Sequence, residues 1–230
     1  MLDWISAHQA TLSTVASVGS FLIWLIYAQL LYFGFRRQRR PRLIINRGKR
    51  KGLEALCVIS NMSAEPVYIQ HIITTLETCE GTYTMDVSDH EADLEDPDEQ
   101  GEGQWARRCT HQGPLESGGF VHIGAFDSLL RYIAQEAGLH ADTDTPDHMP
   151  RFEAVTVKLI GTYCSEDLPV GAERRFNLHQ HDDGGCTLVP ATWNTRQLSS
   201  RRQRRALRRV IMRINHDQAL GQTGSIITAG

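Results

Sequence analysis

The run from His179 to Asp183 is the best grouping of metal-ligating residue types in the sequence, and Cys186 follows it closely. Side chains two positions apart on a strand share a face, so His179 and His181 could offer two imidazoles to one zinc ion. No third ligand stands at a recognised spacing, and the run continues into Asp-Asp-Gly-Gly, a hairpin-turn composition. We therefore predict an exposed turn flanked by histidines, with no resident metal and no cofactor.

Sequence motifs for the common classes of catalysis are absent. The chain has no phosphate-binding Walker motif and no glycine-rich dinucleotide turn. It also lacks the Gly-x-Ser-x-Gly elbow, the HExxH helix and the kinase signatures. We predict a non-enzymatic protein, and a membrane-tethered, metal-dependent hydrolase using His179 and His181 is kept as an alternative.

A second kind of chemistry comes from arginine, because the pentapeptide Arg-Arg-Gln-Arg-Arg occurs at 36–40 and again at 201–205. The second copy opens a predicted amphipathic helix over 196–215. Ser200 and Gln203 fit a capping box, and the positions from Leu207 to Ile214 place apolar residues on one face. The opposite face is almost entirely arginine, which suits an anionic lipid surface, a partner protein or nucleic acid phosphates.

Lipid headgroups are the favoured partner, because a nearby membrane anchor would hold these arginines close to an anionic leaflet, where each contributes about 1 kcal/mol of attraction. Packing of the helix on its own domain or on a partner protein comes second, and binding to nucleic acid is not expected. The residues predicted to bind the membrane surface are Arg36, Arg37, Arg39, Arg40, Arg204, Arg205, Arg208 and Arg209.

The anchor is the charge-free segment 12–35, whose helical length of roughly 36 Å can cross a hydrocarbon core of about 30 Å. The basic segment 36–52 follows it, whereas residues 1–11 contain neither Lys nor Arg. By the positive-inside rule the N-terminus faces out and the main domain is cytoplasmic, which we place at a bacterial inner membrane. A cleaved signal peptide is disfavoured, because it would need a basic start and a small-residue cleavage site.

Small residues on the anchor suggest association between helices. Ser13, Ala16 and Ser20 recur at helical spacing and would let two backbones approach closely. Gln29 adds an amide that a neighbouring helix could hydrogen-bond. We therefore predict a protein partner or a homo-oligomer, and the alternative function is an oligomeric membrane effector or pore gated through the cytoplasmic domain.

Residues 43–190 are long enough for one domain, and short β-prone runs with turn signals predict an antiparallel, immunoglobulin-like β-sandwich. The runs 53–60 and 66–77 are predicted to pair as a hairpin, and 126–137 is predicted to be the one short helix, with Asp127 as its cap and Gly138 at its end. An acidic loop is expected at 86–102 and a disordered tail at 216–230.

The fold class is therefore mainly β, with one transmembrane helix before the sandwich and a basic helix after it. The function predicted from these features is an interaction or ligand-sensing module at the inner membrane surface.

Overall fold

The computed structural model describes residues 8–38, 41–89, 110–139, 152–163, 166–181 and 185–219. The chain divides into two compact units, Met1–Arg40 and Pro41–Gly230. The first unit is the helix α1, Gln9–Gln38, whose segment Gln9–Gly34 is long and apolar enough to cross a membrane and has none of its surface buried. The helix exceeds the predicted span 12–35 by three residues at each end.

The second unit is mainly β, as predicted, and all of its strand pairs are antiparallel. The strands are β1 Leu43–Arg47, β2 Leu56–Asn61, β3 Val67–Thr78, β4 Thr82–Asp86, β5 Gly113–Leu115, β6 Phe120–Ala125, β7 Phe152–Tyr163, β8 Val170–Gln180, β9 Cys186–Pro190 and β10 Arg196–Gln197. A three-stranded sheet has the order β1-β2-β6. A seven-stranded sheet has the order β10-β8-β7-β3-β4, with β5 beside β3 and β9 beside β8.

The two sheets enclose one hydrophobic core, to which alternate residues of most strands contribute. A bulge in β3 between Ile69 and His71 shifts the alternation, so that Ile69 and Ile72 both face the core while His71 faces outward. The imperfect alternation of this strand in the sequence thus has a local cause.

The predicted hairpin of 53–60 with 66–77 is wrong, because β2 and β3 belong to different sheets. The side chain of Asn61 is fully buried at the corner between them, where its Nδ2 donates to the carbonyl oxygens of Glu65 (3.0 Å) and Leu115 (2.9 Å). Its Oδ1 accepts from the backbone N–H of Ser63 at 2.9 Å. These bonds replace the ladder of a hairpin and turn the chain from one sheet into the other.

Strand β1 is bonded along both of its edges. Its backbone pairs with β2 on one side. On the other side, the Thr195 hydroxyl accepts from the N–H of Ile45 (3.0 Å) and lies 3.1 Å from the Ile45 carbonyl oxygen. The Gln197 side-chain amide likewise bonds both the N–H and the carbonyl of Leu43. Because Gln197 also pairs with β8 through its backbone, this segment joins the edges of the two sheets.

The helix α2, Phe126–Glu136, lies close to the predicted 126–137 and ends before Gly138, whose φ of 66° suits the left-handed end of a helix. Asp127 does not cap it as predicted. The N-cap is Ala125, which makes no side-chain cap bond, and Asp127 instead pairs with Arg131 at 2.8 Å.

The helix α3 spans Arg201–Ala219, whereas the sequence predicted 196–215. It begins later because Arg196 and Gln197 form β10, and it includes the first residues of the predicted tail. The capping box forms, since Gln203 N–H donates to the Ser200 hydroxyl (3.2 Å) and Ser200 N–H donates to the Gln203 side chain (3.1 Å). Residues 220–230 lie outside the described residues.

Candidate functional site

The apolar side of α3 packs on the outer face of the seven-stranded sheet. Leu207, 4% exposed, contacts a small cluster formed by Ile73 of β3, Ile160 of β7 and Leu198. A Cβ atom at Gly171 of β8 would lie 2.7 Å from the Leu207 Cδ1, so the helix approaches the sheet where a side chain is missing. Val210, Ile211 and Ile214 extend this contact as partly buried residues.

Arg204 is bound within the domain and does not face solvent with the other arginines. Its side chain is 12% exposed. The guanidinium donates to the carbonyl oxygens of Pro169 (3.0 Å) and Leu168 (2.5 Å) and pairs with Glu166 at 3.0 Å. These contacts attach the first turns of α3 to the segment before β8, so Arg204 is no longer part of the surface that we propose for binding.

The solvent side of α3 presents six arginines, which we call the arginine face. They are Arg201, Arg202, Arg205, Arg208, Arg209 and Arg213, and all six are exposed. Within the described ranges none of them forms an ion pair, although the same ranges contain five ion pairs between Arg or Lys and Asp or Glu. The arginine face is thus a preformed positive surface on a helix whose apolar side is already occupied.

Polar pairs cover the part of the outer sheet face that α3 leaves open. Glu173 of β8 pairs with Lys158 (3.5 Å) and with Arg196 (2.8 Å), and Arg175 pairs with Glu77. These pairs fix long side chains across neighbouring strands, so the region is a bonded polar surface and not a free one.

A buried polar pair lies at the β4 edge of this face. His71 Nδ1 is 2.6 Å from Asp86 Oδ2, and the N–H and hydroxyl of Ser88 donate to Asp86 Oδ1. Burial alone would raise the pKa of Asp86, but the bonds from His71 and Ser88 outweigh it and hold the pKa below its ordinary value. Asp86 therefore belongs to the fold and not to the predicted acidic loop 86–102, whose residues 90–102 lie outside the described residues.

Ser88 is not a nucleophile in this arrangement. Its hydroxyl donates to the Asp86 carboxylate and accepts from the backbone N–H of Ile72 at 2.8 Å. The residue is 1% exposed. In a catalytic triad the serine hydroxyl is hydrogen-bonded to the histidine and not to the carboxylate. The pair of His71 and Asp86 is accordingly a structural link between β3 and β4.

Arg174 is a buried guanidinium that sequence reasoning missed. It bonds the Ile45 carbonyl (2.7 Å), the Asn46 side chain (3.1 Å) and the carbonyls of Thr192 (3.3 Å) and Trp193 (3.5 Å). Burial lowers its pKa, and the nearby charge of Arg47 adds to this effect. The guanidinium remains charged, because arginine is not deprotonated in proteins. These bonds hold a loop whose Trp193 side chain is 91% exposed.

The predicted anchor residues all lie on α1. Ser13, Ala16, Ser20 and Gln29 are exposed on this helix. At about 100° per residue, Gln29 lies on nearly the opposite side from the three small residues, so one helix contact cannot bury all four. Arg36 and Arg37 are in the last turn of α1, and Arg39 and Arg40 lie outside the described residues.

The two histidines proposed for zinc do not meet a third ligand in the described part of the chain. His179 is exposed near the end of β8, and His181 Nε2 bonds the Thr187 hydroxyl at 2.7 Å. No group of three or more His, Cys, Asp or Glu side chains able to hold a metal occurs among the described residues. Asp182 and Asp183 fall outside them.

The described cysteines offer little reactivity. Burial raises the pKa of the Cys57 thiol to about 12 and also raises the pKa of Cys186. A thiol of raised pKa is a poor nucleophile, because the thiolate is the reactive form. Cys79 is exposed and free, but no base or second thiol is bonded to it among the residues described.

Comparison of the chain with protein-family models, with curated proteins and with solved structures finds no match. The function proposed below is therefore argued from the residues of this chain alone. Among the surfaces described, the arginine face is the one where charge, exposure and fixed geometry occur together.

Proposed function

We propose that the chain is a non-enzymatic, single-pass membrane protein of the bacterial inner membrane, whose cytoplasmic β-domain is an interaction module. In this proposal the arginine face of α3 binds an acidic partner protein. The observation that carries it is that six exposed arginines form no ion pair among the described residues, while the apolar side of the same helix is occupied by the sheet. Such a helix is rigid, positively charged and ready to bind.

The membrane anchor in this proposal is α1. Its apolar segment of 26 residues has no buried side chain among those described, and the basic run from Arg36 to Lys51 follows it. A helix of this length that buries nothing in its own chain is best explained by a bilayer. The basic run favours a cytoplasmic location for the domain.

A partner protein is favoured over lipid for the arginine face because of the apolar stripe. An amphipathic helix binds a bilayer strongly only when its apolar face enters the acyl boundary. Here Leu207 is buried against β7 and β8, so insertion would require α3 to leave the sheet. Attraction of the arginines to anionic lipid, which the sequence favoured, is the rival explanation.

We also propose that the domain is immunoglobulin-like, which the strand order supports. The sheet β1-β2-β6 corresponds to strands A-B-E of an immunoglobulin domain. The run β4-β3-β7-β8 of the other sheet corresponds to strands C′-C-F-G. This is the arrangement of immunoglobulin sandwiches that carry a C′ strand. A fold by itself does not assign a function, so the proposed interaction role rests on the arginine face and not on this likeness.

Arginine modification in nanodiscs tests the function directly. The full-length protein is treated with phenylglyoxal in neutral and in anionic nanodiscs, with and without an acidic polypeptide such as polyglutamate, and modification is read by mass spectrometry. We expect Arg205, Arg208 and Arg209 to react equally in both lipids and to be protected by the polypeptide. Protection by anionic lipid alone would favour the lipid surface instead.

A charge-matched pair of variants gives the control. Changing Arg205, Arg208 and Arg209 to Glu should weaken polypeptide binding at least about tenfold at low salt, since it replaces attractive charge pairs with repulsive ones. Changing the exposed Lys49, Arg50 and Lys51 to Glu alters net charge equally and should leave most of the binding. Equal losses in the two variants would show nonspecific attraction and contradict the assignment to α3.

A further inference from the structure

An uncovered apolar patch lies on the outer face of the three-stranded sheet. The strand register places Ile44, Ser60 and Phe120 in one row across β1, β2 and β6. Arg42 and Met62 form the next row, since the Met62 N–H donates to the Arg42 carbonyl at 2.8 Å. We call Arg42, Ile44, Met62 and Phe120 the juxtamembrane patch.

The patch is exposed, unlike the corresponding area of the other sheet. Phe120 is 70% exposed and Met62 is 55% exposed, so nothing in the described domain covers them. On the seven-stranded sheet the comparable apolar residues Ile73 and Ile160 are buried beneath α3. Exposed apolar side chains that share one face of a sheet are a candidate contact surface for a partner of low polarity.

The position of the patch in the chain identifies that partner. The patch begins at Arg42, and α1 ends at Gln38. A stretch of four residues reaches at most about 14 Å. Arg42 is also fixed to the domain, because its N–H donates to the Ser63 hydroxyl at 2.8 Å. If α1 spans the bilayer, this short connection limits how far Arg42, where the patch begins, can lie from the membrane surface.

We infer that the juxtamembrane patch lies in the lipid headgroup layer, with Phe120 and Met62 in contact with the bilayer and Arg42 bonded to a lipid phosphate. This inference rests on the proposed membrane span of α1. Phe side chains occur on the lipid-facing side of proteins bound at this depth, and basic residues are attracted to the anionic surface. Glu116 and Asp167 are exposed at the same end of the domain, so the attraction comes from apolar contact and the Arg42 pair, not from net positive charge.

The inference fixes the direction of the arginine face. The outer faces of two packed sheets point in opposite directions. α3 covers the outer face of the seven-stranded sheet, and the patch lies on the outer face of the three-stranded sheet. With the patch against lipid, the arginine face is turned towards the cytoplasm, where an acidic protein can reach it.

Photo-crosslinking in lipid nanodiscs tests the patch. Benzoylphenylalanine replaces Met62 or Phe120 in the full-length protein, and replaces Glu80 or Val189 as exposed controls. Glu80 follows β3, whose far end is about 36 Å from Val67 along the strand, at 3.3 Å per residue. We expect lipid adducts at positions 62 and 120 at least about fivefold above the controls.

Other outcomes overturn specific steps. Adducts that are no more frequent at 62 and 120 than at 80 and 189 would show that the patch faces water. Protein adducts between two copies at 120 would assign the patch to self-association. If alkaline carbonate releases the protein from membranes, the proposed span fails as well, whereas a retained protein without lipid adducts rejects the patch alone.

Discussion

The outer faces of the two sheets differ in whether their apolar residues are covered. On the seven-stranded sheet, Ile73 and Ile160 lie beneath α3, and ion pairs occupy the area beyond the helix. On the three-stranded sheet, Phe120 and Met62 stay exposed. One face is therefore covered by α3, whereas the described part of the domain leaves the other open, and the following substitutions test that difference.

Among substitutions on the two outer faces, the largest effect is expected where α3 meets its sheet. Leu207→Ala should lower the free energy of unfolding by about 2–4 kcal/mol, because it leaves a cavity against Gly171 and Ile160. Urea denaturation of the full-length protein in detergent measures the change. Met212→Ala, on the exposed side of the same helix, should cost less than about 0.5 kcal/mol. If Leu207→Ala costs as little as this control, α3 is not held by the sheet and its stripe is free for lipid.

The bonds of Arg204 should have the next largest effect. Arg204→Ala removes charge-assisted bonds to Pro169, Leu168 and Glu166, at a cost of about 1.5–3 kcal/mol. Arg205→Ala is the matched control, since Arg205 is exposed and forms no ion pair among the described residues. Thermal unfolding should separate the two variants clearly. Similar melting temperatures would show that Arg204 is not held by these bonds, and it would then count as part of the binding surface.

Acid should weaken the β4 edge of the covered face. Because the folded pKa of Asp86 lies below its ordinary value of 3.8, its carboxylate stabilises the fold above that pH. The contribution is lost as the pH falls through the folded pKa. The difference in unfolding free energy between the wild type and Asp86→Asn, on the order of 1 kcal/mol, should stay constant above pH 5 and shrink below about pH 4. A difference that grew towards low pH would contradict the assigned shift.

The smallest effect on folding is expected on the open face. Phe120→Ser should change the free energy of unfolding in detergent by less than about 0.5 kcal/mol, because the side chain already faces solvent. Ile123→Ala, three residues along the same strand and fully buried, should cost about 2–5 kcal/mol. A large loss for Phe120→Ser would mean that the domain itself covers this residue, and the contrast between the two faces would disappear.

Local patterns in the sequence located most elements within a few residues, since strands and helices leave periodic apolar signals. The pairing of those elements was less accessible. The hairpin prediction failed because the Asn61 side chain bonds backbone groups of Ser63, Glu65 and Leu115, and the last of these is 54 residues away. β10 was missed because a two-residue strand carries no pattern.

The sequence predicted which residues form the candidate site but not what each side of α3 contacts. The apolar stripe and the arginines of α3 were visible at helical spacing, yet the sequence alone could not say whether sheet or lipid would cover the stripe. Leu207 occupies the space that a side chain at position 171 would fill. Gly171 was therefore the sequence signal that could have predicted packing of α3 on the sheet. The exposure of Phe120 and the burial of Arg174 depend on strand register and on bonds to β1, which no local pattern encodes.

The hydrogen bonding of β1 along both of its edges also has a mechanical consequence. β1 is the first strand after α1, so a lateral force on α1 would reach the domain through Leu43 and Ile45. Both residues pair with β2 through the backbone. Arg174 also bonds Ile45 to β8, and Thr195 and Gln197 bond this strand to the segment beside β8. A pull on α1 would thus be shared between two sheets and would not separate β1 from β2 alone, which would suit the proposed attachment of the domain to a helix that moves in a fluid bilayer.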